Sequence, residues 1–84
     1  MFDPLELIRS EARAGRTVLL TAREADGSVE TREIEPYSLR PGKAGERLFY
    51  YCLKRQGTRN THVRAIVAAE PTGNGFVPRW PVEF

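Results

Sequence analysis

Apolar residues recur with helical spacing only at the start of the chain, and beyond Gly15 the spacing shortens to that of strands. Leu5, Ile8 and Ala12 fall on one side of a helix. Asp3 before Pro4 supplies a cap and a first helical residue. Glu6 completes a capping box, and Phe2 and Leu7 are placed as the hydrophobic staple beside it. Arg13 and Arg16 suit the negative end of the helix dipole, and Gly15 provides the stop. The pattern predicts a helix over roughly 4–14.

Thr17 to Arg23 reads as a buried strand centred on Val18, Leu19 and Leu20, and Asp26-Gly27 is a strong hairpin signal. Val29 to Ile34 alternates and returns antiparallel. Pro36 is expected to end that strand or to confine the next residues to an edge. Arg40 to Gly45 reads as a loop. Leu48 to Lys54 is strongly β-prone, with Leu48, Tyr50 and Cys52 on one face and Phe49, Tyr51 and Leu53 on the other. Both faces are apolar or aromatic, which predicts a strand that is central or covered on both sides. Gln56-Gly57 marks a turn, Arg59 to Ala68 a further strand, Pro71 to Gly75 a loop, and Phe76 to Phe84 an extended closing segment around Trp80. Short strands at this spacing predict one mostly-β domain over 1–84: a small five-stranded barrel, about 17–84, preceded by one N-terminal α-helix.

With 84 residues the chain makes one domain and buries about two-thirds of the surface its unfolded form exposes. A shallow groove is therefore a more natural working surface than a deep active site. The single cysteine, Cys52, excludes an internal disulfide. The first residues carry acids rather than a basic segment and an apolar run. Neither a signal peptide nor a membrane span is expected, and a cytoplasmic setting is. The net charge is only +2, yet Arg47, Lys54, Arg55, Arg59, His62 and Arg64 lie in an acid-free stretch, while most acids fall within 3–35. That asymmetry points to a basic edge able to attract phosphates; solvated strand-edge charges are the plainer alternative.

Candidate chemistry is sparse. One His and one Cys make no metal set, and no cofactor is expected. A Cys52–His62 nucleophilic pair competes with Cys52 acting as a small hydrophobe among tyrosines. Gly42-Lys43-Ala44-Gly45 and Gly73-Asn74-Gly75 lack phosphate-loop and dinucleotide spacing and read as turns. Without reactive groups the chain is expected not to be an enzyme. Arg47, Tyr51, Arg55, Arg59, His62 and Arg64 together mix cations with a ring, a combination that suits single-stranded nucleic acid.

From Arg32 onward the chain resembles a WYL domain. Arg32-Glu33-Ile34-Glu35-Pro36 followed by Leu39, a Gly-bearing loop at 42–46, the aromatic strand Leu48-Phe49-Tyr50-Tyr51-Cys52, and Arg59-Asn60-Thr61-His62-Val63-Arg64-Ala65-Ile66 match the family's order from about Thr17 to Phe76. The name-giving Trp-Tyr-Leu is replaced by Glu46-Arg47-Leu48. Thr61 stands for an aromatic, and Arg64-Ala65-Ile66 for Asp-Arg-Ile, displacing one basic residue by one position. The resemblance implies that the five-stranded barrel is SH3/Sm-like, of the kind that senses effectors in bacterial transcription regulators beside a winged helix; the single leading helix here is not one. It further implies a ligand-sensing module for nucleic acid or a nucleotide-like anion, with Arg32 and Arg59 holding the anionic group, Tyr51 and His62 meeting a base, and Arg64 nearby. The alternative is a protein-interaction or homo-oligomerisation module; neither reading calls for a membrane.

Overall fold

The structure, a computed structural model, describes residues 3–84. The first helix, α1, spans Pro4–Arg13, and the Asp3 carboxylate accepts from the Leu5 N–H at 3.0 Å. The cap thus serves the second helical residue rather than Glu6, and the expected staple partner Phe2 lies outside the described residues. Leu7, Ile8 and Ala12 are buried. Gly15 takes φ +72, a left-handed turn that costs glycine little, and its N–H donates to the Ala12 carbonyl at 3.1 Å.

Five strands come after the helix: β1 (Arg16–Arg23), β2 (Val29–Gly42), β3 (Gly45–Cys52), β4 (Gly57–His62) and β5 (Ile66–Gly75). They form one antiparallel sheet in the order β4-β3-β2-β1-β5, and α1 packs on β1, β2 and β5. The fold is mostly β, with one N-terminal helix, as the pattern predicts. Its curvature is a consequence of the register. His62 ends β4 opposite Arg47, whose partner on β2 is Arg40. Ile66 opens β5 opposite Ala22, whose partner on β2 is Glu30. A straight β2 would separate Arg40 from Glu30 by about 33 Å. Yet only Val63–Ala65, one turn of 3-10 helix, joins β4 to β5. The sheet must therefore coil on itself into a barrel-like shape. β2 has a register shift between Pro36 and Ser38, a bulge of the kind that bends strands.

Several boundaries differ from the pattern. β2 runs through Pro36, because β1 pairs with β2 only as far as Ile34. Beyond that point β2 has a strand on one side only, and a missing N–H is tolerated there. Arg40 and Pro41 belong to β2, and only Lys43 and Ala44 separate Gly42 from Gly45. The expected strand 59–68 is broken by the 3-10 turn, which carries the chain from one sheet edge to the other. The expected loop 71–75 lies in β5, where edge placement again accommodates a proline, Pro71 opposite Val18. Residues 76–84 form no helix or strand. They cross to β2, where the Glu83 N–H donates to the Tyr37 carbonyl at 2.7 Å.

The core joins Leu7 and Ile8 to Val18, Leu20, Ala22, Ile34, Leu48, Tyr50 and Cys52. On β3 the inward residues are those of the Leu48 face, and Phe49 and Tyr51 on the other face are half-buried. No helix among the described residues is long and apolar enough to cross a membrane.

Candidate ligand-binding mouth

Residues paired across an antiparallel ladder point to the same side. Arg32 is opposite Leu20 and Arg59 is opposite Tyr50, so both arginines lie on the inner face with the core residues. A concavity of about 740 Å³ lies between the β1–β2 hairpin and β4, and both faces of the β4 edge strand contribute to it, Arg59 and Thr61 from the inner face and Asn60 and His62 from the outer. That volume lies within the usual range for small-ligand sites. Its basic wall carries Arg47, Arg55 and Arg59, and the facing, mainly acidic wall carries Glu24, Asp26 and Glu30 with Arg23 among them. The sequence separates these charges; the coiled sheet sets them face to face.

Arg32 is buried, at 8% exposure. Its Nη2 donates to Glu24 Oε1 at 2.5 Å and also to Glu30 Oε2. Its Nη1 is buried without a hydrogen-bond partner. Glu30's carboxyl is held below the usual carboxylate range, first by its hydrogen bond with Glu24 and then by the positive fields of Arg32, Arg55 and Lys54. Burial pushes the Tyr50 phenol up against the opposing pull of Arg32 and Arg59, and Tyr50 shares the inner face with both.

His62 lines the same concavity from β4, opposite Arg47. Its imidazole is held below the ordinary histidine value by Arg47 first, then by burial and by Arg64. Its Nδ1 is buried without a partner. Arg47 Nη1 donates to Asn60 Oδ1 at 2.7 Å, which fixes that guanidinium on the wall. Arg64 is exposed on the 3-10 turn. It acts on His62 through its charge and does not line the concavity.

Tyr51 is the displaced member of the expected set. It lies on the outer face, with the Arg79 guanidinium 3.8 Å from its ring centroid and Trp80 edge-on at 6.5 Å. One face of that ring is already occupied, so the structure does not bring it to Arg32 and Arg59. Its neighbour Tyr50 shares their face instead. Sequence reasoning missed Tyr50, Glu24 and Glu30 as members of this region. Tyr50 was recoverable from its alternation with Tyr51 once the β3–β4 register was known. The two acids had no local signal.

Cys52 and His62 belong to opposite ends of the β3–β4 ladder, since Cys52 pairs with Gly57 and His62 with Arg47. Five ladder steps, about 17 Å, separate them. They are not a nucleophile and its base. No group of three or more His, Cys, Asp or Glu side chains able to hold a metal occurs among the described residues.

No family model matches the chain, and no curated protein matches it. Among solved structures, proteasome accessory factor B/C (PafBC) of Arthrobacter aurescens aligns with a TM-score of 0.78 at 21% identity. The alignment covers 92% of this chain and 13% of that protein. The chain therefore shares its fold with a short segment of a much longer protein.

Proposed function

We propose that this domain is a non-catalytic, WYL-like ligand-binding module of a bacterial transcription regulator, and that it takes single-stranded nucleic acid or a nucleotide-like anion in the mouth of its barrel. The observation that carries the reading is a concavity with Arg47, Arg55 and Arg59 on one wall, beside an inner face that Arg32, Tyr50 and Arg59 share. The fold likeness to a segment of PafBC, together with the order of the WYL-type motifs, supports it. Arg47, Arg55 and Arg59 meet phosphates. Guanidinium planes also offer a stacking surface for bases, which removes the need for Tyr51. Glu24 and Asp26 on the facing wall accept from the amino groups of a base.

Fluorescence anisotropy with labelled single-stranded DNA, single-stranded RNA and duplex DNA at two salt concentrations tests this. Saturable binding that prefers a single strand and falls with salt is expected. Arg59→Ala is expected to weaken it about tenfold, roughly 1.4 kcal/mol, with unfolding unchanged. Absence of binding at tens of micromolar protein, with a stable oligomer on a sizing column, would shift the assignment to a protein-interaction module.

A further inference from the structure

Beside the large concavity lies a second, smaller one of about 140 Å³, lined by Glu30, Thr31, Arg32, Cys52, Lys54 and Arg55. Glu30 and Arg55 line both, so the two spaces adjoin. We infer that this niche is a subsite for a phosphate monoester, the doubly charged end group of a strand or nucleotide. The inference rests on the mouth being the ligand site and adds which part of the ligand enters where.

Three features carry it. Charge comes first, because three cations face one acid in the niche. Arg32 is already engaged by Glu24 and Glu30, but Lys54 and Arg55 are exposed and make no salt bridge or side-chain hydrogen bond among the described residues. Their fields converge on the niche, as their effect on Glu30 shows.

The second feature is an unmet hydrogen-bonding demand. Arg32 lines the niche, and its Nη1 is buried with no partner. A buried donor left unpaired costs free energy that an oxyanion would recover. Because Nη2 already holds two carboxylates, Arg32 stays in place whether or not the niche is filled.

The third is shape. Cys52 is fully buried and Arg32 nearly so, which closes the floor. A space this small admits a phosphate group but not a nucleoside, and its surplus of cations favours a doubly charged monoester over a singly charged phosphodiester. The volume is well below the ~300 Å³ at which sites for whole small molecules begin, while the adjoining space is ample for a base and its sugar.

The test compares otherwise identical labelled single strands carrying a 5′-phosphate, a 3′-phosphate or only hydroxyl ends. It is run with the unaltered domain and with Lys54→Gln, an exposed change that spares the fold. In parallel, inorganic phosphate is titrated while the Arg32 Nε–Hε resonance is monitored by NMR. A phosphorylated end is expected to bind at least fivefold more tightly than hydroxyl ends. Lys54→Gln is expected to erase that preference while leaving the hydroxyl strand within about twofold. Glu30→Gln, which removes the one acid in the niche, is expected to enlarge it. If no strand binds but phosphate still shifts Arg32 and Lys54→Gln abolishes the shift, the niche stands with free phosphate as its source, and the nucleic-acid reading falls. Equal binding of all strands with no phosphate-induced shift overturns the inference, as does a preference that Lys54→Gln leaves intact.

Discussion

The two faces of the sheet use the same materials to opposite ends. On the outer face the closing segment lies over β2 and β3. Tyr37 stacks on Trp80 with ring centroids 4.3 Å apart and meets Phe76 edge-on at 5.8 Å. The Tyr37 hydroxyl donates to Glu35 Oε1 at 2.7 Å and accepts from the Arg79 N–H at 3.0 Å. Arg79 Nε donates to the same Glu35 carboxylate at 3.1 Å while its guanidinium covers Tyr51. Cation, acid and rings all have partners. At the mouth Arg32 also meets acids beside a tyrosine, but among the described residues Arg32 Nη1 and His62 Nδ1 stay unpaired and Lys54 and Arg55 make no salt bridge. A satisfied network rigidifies, whereas an unsatisfied one retains capacity for a ligand. The outer cluster is thus a clasp for residues 76–84, and the unmet groups at the mouth are what the proposed ligand site rests on.

That division is tested most severely by truncating Tyr37, which is 1% exposed. Tyr37→Ala removes a buried ring and leaves the Glu35 carboxylate without its hydroxyl donor. A loss of about 3–5 kcal/mol in urea unfolding is expected. Any fraction that remains folded should bind at the mouth as before. A weakened affinity in that fraction would show that the two faces are coupled, and a loss below about 1 kcal/mol would deny the clasp its structural role.

A smaller effect separates the faces by pH. Burial first, and the hydrogen bond to Glu35 with it, pushes the Tyr37 phenol up to about 12 against the pull of the Arg79 amide. The unfolded chain ionises this phenol near pH 10 while the native state keeps its proton. Stability is therefore fully present below pH 10 and is lost as pH rises towards about 12. The expected size is roughly 2 kcal/mol. Tyr50 is raised as well, so it adds loss of the same sign. Tyr37→Phe keeps the ring and should flatten only part of this alkaline limb; an unchanged limb would place the whole effect at Tyr50.

Much of this architecture is legible in the residues. The helix, the Asp26-Gly27 hairpin, the inward face of β3 and the barrel-like class can all be read from local period and punctuation. Prolines and glycines misled where tertiary context relieved them. Pro36 is accepted because β2 has lost one neighbour at that point, and Pro71 because β5 is an edge. In the site, Arg32 and Arg59 share the inner face of the sheet, and Tyr51 lies on the other. Which of two adjacent tyrosines faces the arginines depends on a one-residue register, and a slip of one reverses every side chain. The acidic wall was hidden for a different reason. Glu24 and Glu30 are far in sequence from the basic stretch and reach it only because the sheet coils.

The smallest expected effect concerns His62 and sharpens the mouth itself. Arg47 opposite it, partial burial and Arg64 all hold the imidazole below its ordinary value. At neutral pH the ring is therefore uncharged and adds no positive charge to the wall. Protonating it as pH falls below 6.5 adds a positive charge to a wall that already bears Arg47, Arg55 and Arg59. Affinity for an anionic strand should rise modestly over that interval, although the facing Glu24, Asp26 and Glu30 carboxylates remain to temper it. Folding responds with the opposite sign. The unfolded chain takes up the proton first, so the contribution of His62 to stability is present above its unfolded value and is lost as pH falls through it. An NMR titration of the imidazole gives the midpoint directly. Arg47→Gln should move that midpoint upward by removing its largest cause, and Arg64→Gln should move it less. A midpoint at or above the ordinary value, or one insensitive to Arg47, would take His62 off the basic wall and leave Arg47, Arg55 and Arg59 to define it alone.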